Sequence, residues 1–157
     1  MKKIVLLGVS GLFVCFLLTS PAFCHCEIPC GIYGDEMRIQ MIEEHITTIE
    51  KAMKKIVELS NEKDKNYNQI VRWVMNKEEH ADEIQEIVSQ YFMTQRIKPV
   101  DGTTADNYEK YVKSITLLHK MLIGAMKAKQ STDLASVEKL KALLNDFSTA
   151  YLGEKSK

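Results

Sequence analysis

Hydrophobic residues between positions 35 and 152 recur every three or four positions, which is the spacing of one face of an α-helix. Four such stripes follow one another along the chain. In order, they are Ile42, Ile46, Ile49, Met53 and Ile56; Ile70, Val74, Ala81, Ile84, Val88 and Tyr91; Tyr111, Ile115, Leu118, Leu122 and Ala125; and Leu134, Val137, Leu140, Leu144, Phe147 and Tyr151. No window alternates apolar and polar residues with period two, so the pattern predicts four helices and no sheet.

Polar stretches and a proline separate these stripes. Because proline disfavours a helical conformation in the residue before it, the second helix should end before Pro99. The predicted boundaries are Asp35 to Leu59 for the first helix, a start near Tyr67 for the second, an N-cap at Thr103 or Thr104 for the third, and entry through Ser131-Thr132-Asp133 for the fourth. Four amphipathic helices joined by short connections favour an all-α fold, an antiparallel four-helix bundle over residues 35–152.

The N-terminal segment has the features of an export signal. A short basic start precedes 16 uncharged, mostly apolar residues from Ile4 to Thr19, fewer than the roughly 20 that cross a bilayer comfortably. A cut after Cys24 would place Ala22 and Cys24 at the two small-residue positions that a signal peptidase reads. We therefore expect residues 1–24 to be a leader that is removed. An uncleaved membrane anchor and a lipid-modified Cys24 are the alternatives.

Removal of the leader changes the charge and the cysteine content. The 157 residues, enough for one domain with one core, carry a formal net charge of zero. Loss of the leader leaves 19 basic residues against 21 acidic ones, a balance that suits neither nucleic acid nor an anionic membrane surface. Of four cysteines, only Cys26 and Cys30 remain. Two cysteines so close together do not make a disulfide framework, so they serve metal chemistry or form one small local loop.

Residues 25–34, between the predicted cut and the first helix, carry a concentrated set of metal donors. A free N-terminal His25 offers its α-amine and its ring nitrogen, and Pro29 helps the two thiols turn toward one point. The amine, the deprotonated Cys26 amide and the thiolates of Cys26 and Cys30 would form a square set of two nitrogens and two sulfurs. Such a set suits nickel(II) or copper(II), whereas zinc prefers a tetrahedron. The amine becomes a ligand only if proteolysis exposes it.

The pattern His25-Cys26-x-x-Pro29-Cys30-Gly31-x-Tyr33 resembles, position for position, the N-terminal hook of the nickel-containing superoxide dismutases. Glu27 stands where the best-known hooks of that family carry an aspartate. The resemblance implies an enzyme that converts two superoxide radicals to O₂ and hydrogen peroxide by cycling between Ni(II) and Ni(III). It also implies one nickel ion per subunit and a homohexamer of four-helix bundles.

The resemblance also assigns roles to individual residues. It implies that His25 gives its α-amine and ring nitrogen, Cys26 its amide and thiolate, and Cys30 its thiolate. Tyr33 would stand over the open face of the metal and limit access to it. The residues expected to be catalytic are thus His25, Cys26, Cys30 and Tyr33, with Glu27, Pro29, Gly31 and Tyr33 around the ligands.

The expected partners are superoxide and a peptidase that exposes His25, with no nucleic acid and no membrane after cleavage. The export signal predicts a periplasmic or extracellular protein, and a cytoplasmic protein after propeptide removal is the alternative. Arg38, Arg72 and Arg96 are assigned either to ion pairs between subunits or to electrostatic guidance of superoxide. Two other functions remain open: an exported copper- or nickel-binding helical protein without enzymatic activity, and a structural bundle with a Cys26–Cys30 disulfide.

Two histidine-containing segments of the helices invite comparison with di-iron bundles, which use Glu-x-x-His pairs. Ile42 stands three residues before His45, and Lys77 stands three residues before His80. Because neither segment has the required spacing, we interpret both histidines as parts of solvated helix faces, with His45 as a boundary residue that has a hydrogen-bond partner.

Overall fold

The computed structural model describes residues 34–100 and 105–153. Helix α1 spans Asp35–Asn61, α2 spans Tyr67–Glu86, α3 spans Ala105–Gln130 and α4 spans Ala135–Leu152, and a π-helical continuation of α2, here called the π-segment, covers Ile87–Arg96. Each helix packs against two others, α1 against α2 and α4, and α3 against α2 and α4. No strand occurs in the described residues. The predicted all-α, four-helix fold is confirmed.

The helix starts follow the local capping chemistry of the sequence. Helix α2 begins at Tyr67 because the side chain of Asn66 accepts a hydrogen bond from the Gln69 backbone N–H at 3.2 Å. Before α4, the Asp133 carboxylate accepts a hydrogen bond from the Ala135 N–H at 3.0 Å. The predicted N-caps of α3, Thr103 and Thr104, lie outside the described residues.

The core is built from the predicted stripes, with corrections on α3 and at the starts of α2 and α4. All five stripe residues of α1 are buried. On α3 the buried face is broader than predicted, because this helix packs against both α2 and α4. The buried residues of α3 are Ser114, Leu117, Leu118, Met121, Gly124, Ala125 and Ala128, while the predicted Tyr111, Ile115 and Leu122 are only partly buried and Leu134, just before α4, is exposed.

The start of α2 also departs from its predicted stripe. Val74 is 37% exposed, whereas Lys77 is only 4% exposed. The Lys77 ammonium donates to the backbone carbonyl of Lys129 and, at 3.2 Å, to that of Ser131. A buried lysine thus satisfies carbonyl groups at the C-terminus of α3, where a positive charge is favourable.

The π-segment was not predicted. The sequence indicated a continuous helix up to Pro99, and the chain is helical to Arg96, but its last ten residues are wound with i→i+5 hydrogen bonding. Ile97 N–H donates to the Phe92 carbonyl at 2.8 Å, and the Thr94 hydroxyl donates to the Ser89 carbonyl at 2.7 Å. None of the helices in residues 34–100 and 105–153 has the length and apolar character that crossing a bilayer requires.

Candidate metal centre

The predicted metal ligands precede the first described residue. His25, Cys26, Cys30 and Tyr33 lie outside the described residues, as do Glu27, Pro29 and Gly31. The structure does describe the part of the bundle to which this segment is joined, which is the start of α1. Gly34 and Asp35 stand there, one and two residues after Tyr33.

The Asp35 carboxylate accepts hydrogen bonds from two other elements of the bundle. Its Oδ1 accepts from the Tyr91 hydroxyl at 2.6 Å, and its Oδ2 accepts from the Tyr151 hydroxyl at 3.0 Å. The Arg96 Nε lies 2.8 Å from Oδ1 in an ion pair. We call these four residues the Asp35 cluster. It joins the first turn of α1 to the π-segment and to the last turn of α4.

The winding of the π-segment brings two members of this cluster together. Arg96 donates from Nε and Nη2 to the Tyr91 hydroxyl at 3.0 and 2.8 Å, and its guanidinium carbon lies 4.9 Å from the centre of the Tyr91 ring. In an α-helix, residues five apart would point about 140° away from each other. The i→i+5 winding aligns them instead, so both reach Asp35.

Aromatic packing holds the two tyrosines of the cluster. The ring of Tyr151 stacks on Phe147, with centroids 5.3 Å apart and planes 12° apart, and meets Phe92 edge-on at 5.7 Å. Phe92 also packs edge-on against Tyr91 at 5.0 Å. Phe92 and Phe147 are fully buried, so the rigid core orients both hydroxyl groups toward Asp35.

The electrostatics of the cluster keep its hydroxyl groups protonated. Burial raises the pKa of Tyr151 to about 12, and the hydrogen bond to the Asp35 carboxylate raises it in the same direction. Burial and the hydrogen bond to Asp35 also raise the pKa of Tyr91. The hydrogen bond to Tyr91 raises the pKa of the Arg96 guanidinium, as does the charge of Asp35. At neutral pH the two tyrosine hydroxyls are therefore neutral donors and Arg96 is a cation.

A second polar contact joins α1 to α2 through two histidines, His45 and His80. The Nδ1 atoms of His45 and His80 are 2.7 Å apart, and the Nε2 of His45 is buried without a hydrogen-bond partner. Burial, followed by the charge of His80, lowers the pKa of His45, while Glu83 and Glu44 act in the opposite direction. The prediction that His45 is a boundary residue with a hydrogen-bond partner is confirmed, and packing of the two helices makes His80 that partner.

Sequence reasoning missed most of this geometry. Arg96 was assigned to ion pairs between subunits or to substrate guidance, but it pairs with Asp35 of the same chain. Asp35 and Tyr151 had no predicted role beyond the helix start and the core. The available signal was the position of Asp35, an acidic residue in the first turn directly after the donor-rich segment. Within residues 34–100 and 105–153, no group of three or more His, Cys, Asp or Glu side chains is arranged to hold a metal ion.

A helical bundle preceded in the sequence by a short segment with one histidine and two nearby cysteines is compatible with a small all-α metalloprotein. A family model described as nickel-containing superoxide dismutase matches residues 20–155, which include the whole of that segment. The chain belongs to this family, and it is a nickel-dependent superoxide dismutase with superoxide as its substrate. Searches of the curated proteins and of the solved structures gave no match.

Proposed function

We propose that residues 25–33 form the nickel centre of this superoxide dismutase. His25 gives its α-amine and ring nitrogen, Cys26 its backbone amide and thiolate, and Cys30 its thiolate. The observation that carries this proposal is the extent of the family match, which spans the segment that holds these donors. Two thiolates with nitrogen donors form the ligand set that a square-planar nickel(II) ion favours.

The residues of the segment fit the chemistry of the reaction. Bound nickel supplies a one-electron couple between its divalent and trivalent states. The Cys26 and Cys30 thiols bind as thiolates, because the anion rather than the thiol is the metal ligand. Pro29 fixes the reversal of the chain between them. Tyr33 limits access to the open face and hydrogen-bonds to small oxygen species or to water.

Processing completes this site. We propose that a peptidase cuts after Cys24 and thereby creates the α-amine of His25, so that residues 25–157 are the mature chain. The basic start, the apolar run and the small residues at Ala22 and Cys24 support this cut. The same features favour a periplasmic or extracellular enzyme. A cytoplasmic enzyme released by removal of a propeptide is the alternative.

The assembly that we propose is a homohexamer, as the resemblance of the hook implies. Apolar side chains on the first turns of α2 support contacts between subunits. Tyr67, Val71 and Met75 are 70%, 55% and 65% exposed, and their spacing of four residues places them along one side of the helix. Clustered exposed apolar side chains of this kind mark interaction surfaces in soluble proteins.

The decisive experiment determines the N-terminal residue and the metal content of the purified protein. We expect the chain to begin at His25, to hold about one nickel ion, and to show a signal of trivalent nickel with an axial nitrogen. A chain carrying copper with little dismutase activity would indicate a metal carrier instead. A protein that begins at another residue and is fully active would show that the proposed ligand set is wrong.

A matched variant tests the role of the terminus. A chain that keeps one extra residue before His25 should lose nickel and activity, because its α-amine is displaced from the chelate ring. Its helices should remain folded, since the bundle starts ten residues later at Asp35, and circular dichroism checks this. A variant that stays fully active would rule out the amine as a ligand.

A further inference from the structure

We propose that a groove between α1 and α4 binds a small protonated amine, with the ammonium group of the ligand at Glu43 and its apolar body on the floor of the groove. The groove is a cavity of about 200 Å³ that opens to solvent. All of its lining residues belong to α1 and α4. The proposal is therefore independent of the proposed nickel ligands.

Two polar bridges between α1 and α4 flank this groove. Lys141 of α4 donates to the Glu50 carboxylate of α1 at 2.6 Å, and the Tyr151 hydroxyl donates to Asp35 at 3.0 Å. The lining residues of α1 lie between positions 35 and 50, and those of α4 begin at Lys141 and end before Tyr151. The short side chain of Ser148 does not fill the space between the helices. The seam is thus closed by its two bridges and open between them.

The floor of the groove is apolar. Ile39, Ile46 and Leu144 line it and are 8%, 1% and 6% exposed. Such a floor favours a ligand with a hydrocarbon body, because the transfer of apolar surface out of water lowers the free energy. A bare metal ion would gain nothing from these side chains.

The rim of the groove carries polar groups that are available to a ligand. The Glu43 carboxylate, the Asn145 amide and the Ser148 hydroxyl all line the cavity. Within the described residues, none of these three side chains makes a hydrogen bond or an ion pair. An ammonium group has three N–H donors and no acceptor. The three oxygen-bearing side chains therefore match its hydrogen-bonding capacity.

The charges around the groove favour a cation over an anion. Lys141 is already shared between two carboxylates, Glu50 at 2.6 Å and Glu138 at 3.1 Å. Hydrogen bonds from Lys141 and Lys54 lower the pKa of Glu50 to about 2, so this pairing persists at neutral pH. An anionic ligand would meet the unpaired Glu43 and a lysine that already has partners, whereas a cation would neutralise Glu43.

The volume of the groove limits the size of the ligand. Liquid water occupies about 30 Å³ per molecule, so a cavity of about 200 Å³ has room for about six or seven groups of that size. Pockets for drug-sized ligands are larger, about 300–1,000 Å³. The ligand class is therefore a short alkyl monoamine, and 3-methylbutylamine is a suitable probe.

Titration of the purified protein with 3-methylbutylamine tests the proposal, with the methyl groups of isoleucine and leucine observed by NMR. We expect saturable shifts at Ile39, Ile46 and Leu144 with a Kd on the order of 1 mM, because so small a ligand makes few contacts. The fully buried Ile84 and Leu118 do not line the groove and should not shift. An absence of saturable shifts at the floor would overturn the proposal.

Two analogues of the probe test the charge of the ligand. 3-Methylbutanol keeps the alkyl body without the charge and should bind about tenfold more weakly, because hydrogen bonds to charged groups are stronger than neutral ones. 4-Methylpentanoate carries the opposite charge and should not bind measurably. Equal affinity for the alcohol, or tighter binding of the carboxylate, would contradict recognition by Glu43.

Glu43→Gln and Glu44→Gln form a matched pair of variants. Both residues are exposed on α1, and each variant removes one negative charge, but only Glu43 lines the groove. Glu43→Gln should raise the Kd for 3-methylbutylamine about tenfold, whereas Glu44→Gln should leave it unchanged. The same Kd in both variants would overturn the proposal.

A third variant tests the location of the site. In Ser148→Leu, a larger side chain at a half-buried position would occupy the volume that the ligand needs and leave the floor residues intact. The shifts at Ile39 and Leu144 should disappear, while circular dichroism shows that the helices remain folded. Saturable binding that persists in folded Ser148→Leu would place the amine outside the groove and overturn the proposal.

Discussion

Individual residues on the described helices carry charge and hydrogen-bonding states that depend on burial. His45 and His80 form one hydrogen bond between two Nδ1 atoms, which requires one ring to donate and the other to accept. A second proton would leave two donors facing each other at 2.7 Å. The groups that face His45 are His80 and Glu83 from α2 and Glu44 from its own helix. The hydrogen bond is therefore stable when only one of the two Nδ1 atoms carries a proton.

We expect this pair to make stability depend on pH. The pKa of His45 in the folded chain lies below its ordinary value of 6.5, so the unfolded state takes up the proton more readily. The contribution of His45 is fully present above about pH 6.5 and is lost as the pH falls through the lowered folded pKa. Urea unfolding at pH 7.5 and 5.5 measures the difference.

Two variants separate His45 from other titrating groups. His45→Asn should reduce the loss of stability between these pH values, whereas His119→Asn should not, because His119 is exposed. The same pH dependence in His45→Asn and the wild type would contradict this assignment.

At the scale of helices, two of the polar contacts between elements lie at helix ends. Lys77 of α2 binds carbonyl groups at the end of α3, and Asp35 at the start of α1 binds the π-segment and α4. Each contact places a charge where the helix dipole favours it, a cation at a C-terminus and an anion at an N-terminus. The helices are thus joined by their polar ends as well as by their apolar faces.

Replacement of Lys77 tests the contact at the end of α3. Lys77→Met keeps most of the side-chain volume but leaves the Lys129 and Ser131 carbonyls without their donor. It should lower the free energy of unfolding by about 1–3 kcal/mol. Lys127→Met removes a charge from the last turn of α3 at an exposed position. It should lower the free energy of unfolding by less than Lys77→Met does. If urea unfolding shows the same loss of free energy of unfolding in both variants, Lys77 stabilises the fold only through its charge.

For the whole molecule, the surface that the bundle leaves exposed matters as much as its core. The first turns of α2 carry Tyr67, Val71 and Met75 on the outside, although the same helix buries Ala81 and Ile84 completely. One helix therefore contributes to the core with one part and offers an apolar surface with another. That surface suits the subunit contacts of the proposed homohexamer.

Charged substitutions on this surface should weaken the assembly. We expect the double variant Val71→Lys, Met75→Lys to form smaller species than the wild type in light scattering, because a buried unpaired charge is costly at an interface. Gln90→Lys, at another exposed position, should leave the assembly unchanged. A double variant that keeps the mass of the wild type would place the contacts elsewhere.

The sequence by itself determined the fold class and the chemistry of the proposed site. Four stripes with helical spacing were enough to predict four helices, since the period of a helix is a local property. The start of α1 at Asp35 and that of α2 at Tyr67 were also predictable from local residues. The sequence also predicts a donor set at His25, Cys26 and Cys30, because its members are neighbours in sequence, and this set stays a prediction.

Only the tertiary structure decided which distant residues meet. Asp35, Tyr91 and Tyr151 are separated by 56 and 60 positions, and no local pattern indicates that their side chains share hydrogen bonds. No local pattern indicates the π-winding that aligns Arg96 with Tyr91, and the pairing of His45 with His80 joins two different helices. Hydrophobic periodicity specifies which face of a helix is buried, whereas the partner of each polar side chain depends on how the buried faces fit together.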